Sequence, residues 1–200
     1  MALKFQYNKT FLHQLGKQLK VRENALPTLQ AKESALRLEV KRAKEEVRRL
    51  EDAYAARLSD QAETARLWRE FPAGLLKART AKVGIRKVAG VKVPVVEDVS
   101  FDVRPYSMVT SPAWVPAGIE IAKELATLLI ERDVAEARVQ RLEHARRKTT
   151  QKVNLYEKIQ IPEYRESIRR IKSFLEDEEN LAKSSQKILK ARLAEAEAAL

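Results

Sequence analysis

The side chains best suited to move a proton near neutral pH are two histidines, His13 and His144. A metal site on a helix needs further ligands three or four residues away, and neither histidine has them. The chain has no cysteine, so disulfides and cysteine-metal sites are excluded. Acidic pairs such as Glu45-Glu46 and Glu178-Glu179 lie on charged helical faces, and nothing in the sequence predicts a cleft around them. No glycine-rich phosphate loop and no G-x-S-x-G elbow occurs. The expectation is a chain that is not an enzyme by itself and needs no cofactor.

Two basic runs, "VKRAKEEVRRL" (residues 40–50) and "HARRKTTQK" (residues 144–152), could touch phosphates. Acidic residues interleave in the first, and neither carries aromatic platforms for bases. No helix-turn-helix or zinc finger is visible, so nucleic acid is not the expected partner. The net charge of +11 is concentrated early, with 12 basic and 5 acidic side chains in residues 1–50. That imbalance suits an acidic partner, met by Lys41, Arg42, Lys44, Arg48 and Arg49.

What would position these charges is read from the breakers. Five of the seven prolines fall between Phe71 and Gly118, with Gly74, Gly84 and Gly90 among them. Long stretches nearly free of both residues flank that region. The high charged fraction of 34% with only 6% aromatics is the profile of long helices. A hydrophobic content of 44% argues against disorder. The reading is mainly α. An N-terminal arm covers 1–71, a β-hairpin and loop insert 72–118, and a C-terminal arm 119–200, as one elongated structural unit.

The first arm, helical from about 8 to 71, carries a heptad seam. Its apolar members include Leu15, Leu19, Leu29, Leu36, Val40, Val47 and Leu50, while Arg22 and Glu33 interrupt it. In the second arm the seam runs through Leu125, Leu128, Val139, Leu142 and Val153. Gln160, Glu163 and Ser167 then fail to continue it. A frame displaced by one residue succeeds through Ile161, Tyr164, Ile168, Ile171 and Leu175, and on to Leu189. Neither stripe can be buried alone, which predicts a long antiparallel two-helix coiled coil with both termini at one end. The displacement falls beside Pro162, which has no N–H for the Lys158 carbonyl. A kink, bend or widened turn within one turn of Lys158 is expected there. Pro27 either kinks the first arm, the favoured outcome, or restarts it with Asn24 as cap.

The insert segment "KVGIRKVAGVKVPVVEDVSFDVRP" is rich in Val and Ile, and Val99, Phe101 and Val103 alternate. It reads as a hairpin packed on the coil end, with candidate turns at Ala89-Gly90 and Glu97-Asp98. Pro94 suits an edge or bulged strand. "SPAWVPAG" (residues 111–118) reads as an ordered loop anchored by Trp114, and both Trp114 and Trp68 read as local core.

The segment "TTQKVNLYEKIQIPEYRESIRRIKSFLEDEE" resembles the C-terminal helix of the D subunit of V-type/A-type rotary ATPases. A basic run leads into Lys152-Val153-Asn154-Leu155-Tyr156-Glu157, then Ile161-Pro162, then Leu175-Glu176, as in that family. "AGVKVPVVE" (residues 89–97) resembles its Gly-Val-x-Val-Pro element. The N-terminal arm departs from the family pattern, with Asn8-Lys9-Thr10 at its start and Arg22-Glu23-Asn24-Ala25-Leu26-Pro27 in place of the family's basic element.

The resemblance implies a central-stalk rotor axle that carries torque between an ATP-hydrolysing or ATP-synthesising hexamer and an ion-translocating membrane ring. The implied partners are the A and B subunits of the hexamer, the small F subunit of the stalk and the funnel-shaped C/d subunit on the ring. The coupled ion, H+ or Na+, is set elsewhere in such a complex. A cytoplasmic place, peripheral to the membrane through the complex, follows from it and from the chain itself. No run approaches the roughly 18 apolar residues of a membrane span, and "MALKFQYNKTF" does not resemble a signal peptide. The rival class is a coiled-coil scaffold or prefoldin-like chaperone, whose helices also flank hairpins. It lacks the Val-Asn and Ile-Pro signature.

Overall fold

The computed structural model describes residues 6–198, with side chains described as far as residue 194. The chain is mainly helical with one antiparallel hairpin. Its order is α1 (Lys9–Ser59), β1 (Leu76–Val88), β2 (Val91–Val103), α2 (Val115–Asn154), a π-helical turn (Leu155–Gln160) and α3 (Ile161–Ala198). The expectation that both termini lie together falls on residues outside the described ones.

Helix α1 starts where Asn8 accepts the Phe11 N–H on its side-chain oxygen at 2.6 Å, an N-cap bond. It stays helical through Pro27, so the helix is not restarted and Asn24 is not a cap. It stops at Ser59, twelve residues short of 71. Beyond it Gln61, Ala62, Thr64 and Ala65 donate three residues back, and Leu67–Glu70 forms a 3-10 helix. The reason lies in the seam: after Tyr54 its next positions are Arg57, Gln61 and Thr64, and no apolar stripe remains to hold an α-helix.

The hairpin turns at Ala89-Gly90, both in the left-handed region with φ of 48° and 78°. Two such residues match the twist of paired strands. Glu97-Asp98 is not a turn. Asp98 pairs with Lys82 and Val96 with Val83, which leaves Glu97 as the extra residue of a bulge within β2. Pro94 faces Ile85 in a sheet of two strands, where each strand is an edge. The hairpin does not sit only at the end of the helices. Its tip residues Val88, Ala89, Val91 and Val93 pack on Leu36, Val40, Ala43 and Leu142. Arg138 Nε donates to the Pro94 carbonyl at 3.3 Å and secures the fold-back. At its base, Leu75 and Leu76 join Phe71, Tyr106, Val115 and Ile119 in a second core.

Contacts divide the chain into two compact units, Met1–Ala31 with Thr150–Leu200, and Lys32–Thr149. Within each, the helical segments run in opposite directions. In the first, Gln18 meets Tyr164 while Arg22 meets Gln160. In the second, Lys44 meets Glu143 while Arg57 meets Glu124.

Around Lys158 the backbone opens into the π-helical turn, and the Ile161 N–H reaches the Tyr156 carbonyl five residues back. A π-helical turn takes up one residue more than an α-turn. That matches the one-residue displacement of the seam. Pro162, next in line, has no N–H to restore the α pattern.

Candidate interaction surfaces

Of the seam residues, Leu15, Leu36, Val40, Leu50, Leu142, Val153 and Ile171 are buried. Leu19, Leu29, Val47, Leu125, Leu128, Val139, Ile168 and Leu175 are half-buried. Leu15 packs with Tyr164 and Ile171, flanked by Phe11, Leu12 and Leu19. Two expectations along this stripe need correction. Ser167 is buried, its hydroxyl donating to the Glu163 carbonyl at 2.7 Å, which removes the penalty for a polar group there. Leu189 is 62% exposed, and Leu181 and Leu193 on the same helix are exposed too. No α1 residue lies opposite them, because α1 begins at Lys9, which lies beside Leu175 and Glu179.

The core residues that the heptad reading missed are Val93, Leu75, Val115 and Ile119. Val91-Lys92-Val93-Pro94-Val95 alternates as a strand should, and that signal was available. Helix α2 starts at Val115, three residues before Gly118, with Pro116 in its first turn where a missing N–H does no harm.

Four of the five basic residues expected to meet a partner line two separate grooves. Lys41, Lys44 and Arg48 line a groove of about 320 Å³ together with Arg37, Glu45 and Arg146. Arg42 lines a separate groove of about 610 Å³ beside the hairpin, with Glu39, Glu46, Arg86 and Arg138. Most of these cations carry an acidic neighbour. Arg42 pairs with Glu39 at 2.8 Å, Arg49 with Glu46 at 2.6 Å and Lys41 with Glu45 at 3.8 Å. Lys44 pairs with Glu143 at 2.6 Å across the helices. The hydrogen bond from Lys44 holds the Glu143 carboxyl below its usual range, against the opposing effect of partial burial.

Near the hairpin base an apolar groove of about 680 Å³ is lined by Leu58, Ala62, Ala65, Trp68, Leu125 and Leu129. Trp68 in its wall belongs to an aromatic cluster. The Trp68 and Trp114 rings meet edge-on at 5.4 Å, and Phe71 lies 5.3 Å from Trp68 and 5.8 Å from Trp114. Gly118 fits beneath it: a Cβ there would stand 2.6 Å from the Trp114 ring.

His13 and His144 are both exposed. Among the described residues no three His, Asp or Glu side chains gather as a metal would require. Among them no helix is long and apolar enough to cross a membrane.

Comparison with known proteins adds to this geometry. The chain is similar to the V-type ATP synthase D subunit of Borreliella burgdorferi, with 27% identity over 199 residues and 95% of each chain covered. It is also similar to the V-type ATP synthase D subunits of Chlamydia felis and of Chlamydia caviae. These are 31% and 30% identical over 160 residues, covering 78% of this chain and 77% of theirs. The sequence pattern of the family described as the ATP synthase D subunit matches residues 11–191, and the chain belongs to that family.

Proposed function

We propose that the chain is the central-stalk axle of a V/A-type rotary ATPase and transmits torque without catalysing ATP chemistry. The observation that carries this is the family match over residues 11–191. The helix–hairpin–helix order and the opposed helical segments within each unit support it. In this reading the seam residues form an antiparallel two-helix coiled coil with Pro162 as its kink, in a chain whose functional parts are 1–71, 72–118 and 119–200. The A and B subunits surround the end that carries exposed Leu181, Leu189 and Leu193. The F subunit of the stalk and the funnel-shaped C/d subunit take the hairpin region, for which the apolar groove at Trp68 and Leu125 is a suitable face. The chain is then cytoplasmic and peripheral to the membrane through the complex.

The test is capture of the tagged full chain from native membranes with identification by mass. Recovery of A, B and F subunits is the expected result. A homodimer recovered without ATPase subunits would point to the scaffold class instead.

A further inference from the structure

Arg22 is a charged residue at a seam position where the heptad repeat asks for an apolar one. Its half-buried side chain is committed to the π-helical turn. Nε donates to Gln160 Oε1 at 2.7 Å. The guanidinium carbon lies 4.5 Å from the centre of the Tyr164 ring and 5.9 Å from that of Tyr156. Nη1 donates to the Gln18 carbonyl at 3.0 Å, and the Tyr164 hydroxyl donates to Gln18 Oε1 at 2.7 Å.

The residues gripped in this way are spaced by four. Four residues of α-helix turn through about 400°, so Tyr164 would drift about 80° from Tyr156. The extra residue of the wide turn reduces that drift and brings all three toward one guanidinium. Pro162 permits a wide turn but does not choose its position. A one-residue bulge can move along a helix by exchanging neighbouring hydrogen bonds, so within the few positions that Pro162 and the seam allow, a side-chain contact can select one.

We infer that Arg22 is a positioning residue that pins the π-helical turn at Leu155–Gln160, through Tyr156, Gln160 and Tyr164 together. The planar guanidinium is needed, since a lysine offers neither the fixed Nε donor nor a flat face for the rings. The register of the second seam is then set by a contact across to α1.

The test is amide hydrogen exchange on the full chain, resolved to residues 155–161, with residues 36–47 as internal reference. Arg22→Leu restores an apolar heptad position and keeps the helix foldable. It should speed exchange at 155–161 about tenfold while the reference stays unchanged. Arg22→Lys should not rescue it. Gln160→Glu should slow exchange at 155–161 by strengthening the bond to Arg22, and should do nothing when combined with Arg22→Leu. Unchanged exchange in Arg22→Leu, rescue by lysine, or equal acceleration in both segments would overturn the inference. So would slowing by Gln160→Glu that persists without Arg22.

Discussion

Single residues decide several local outcomes. Gly118 lies under the Trp114 ring, and Gly16 has no atom within 4 Å of where a Cβ would stand. Both are helical, and alanine normally stabilises a helix interior by about 0.5–1 kcal/mol over glycine. Gly16→Ala should show that gain in denaturant melts. Gly118→Ala should instead cost about 1–3 kcal/mol, because the indole cannot yield without breaking its contacts with Trp68 and Phe71. Two alanine variants of the same sign would remove this account of Gly118. At the hairpin tip, Ala89 holds a positive φ that asparagine tolerates better. Ala89→Asn should raise stability by about 1 kcal/mol in the same assay. The turn itself was legible, since Gly90 divides two Val-rich runs. The tight fit of Gly118 beneath Trp114 was not, because the indole is held there by Trp68 and Phe71 from a distant segment.

At the scale of elements, what periodicity encodes was readable and what sequence-distant packing decides was not. The slip from the Tyr156 frame to the Ile161 frame located the wide turn to within a few residues. The end of α1 was misplaced because residues 60–70 contain neither glycine nor proline, and only the loss of apolar seam positions marks the stop. Glu97-Asp98 resembles a turn by composition, yet the opposite strand makes it a bulge. The hairpin's fold-back onto Leu36 and Leu142 has no signature in spacing at all. The basic residues of α1 are plain in the sequence, but their division between two grooves depends on which neighbour each helix turn meets. The Lys44–Glu143 contact yields a pH prediction. Glu143 has a folded-state pKa below its ordinary value of 4.5. The pair therefore stabilises the fold above that value, and its contribution is lost as pH falls through the folded-state pKa. Lys44 is 56% exposed, so screening leaves about 0.5 kcal/mol or less. Lys44→Met should be less stable than the parent near pH 7, with the difference closing below pH 4.5. A difference that does not change with pH would show that the ion pair is not its source.

For the molecule as a whole, the axle reading makes surface charge a matter of assembly. Exposed ion pairs are worth about 0–1 kcal/mol each, so contacts with surrounding subunits can form and break without trapping the shaft. Neutralising Lys41, Arg42, Lys44, Arg48 and Arg49 together should weaken capture of the hexamer or lower turnover of the reconstituted complex. Unchanged assembly and turnover would refute a role for them. The hairpin adds a mechanical consequence. Its thirteen-residue strands span about 43 Å, and it is held at the base by Val115 and Ile119 and at the tip by Leu36 and Leu142. An arm fixed at one end swings when pushed. A beam clamped at both ends bends between its supports and hands the load to each. A sideways push on the middle of this hairpin, where Lys82 pairs with Asp98 and Val83 with Val96, is therefore shared between α2 at the base and α1 with α2 at the tip.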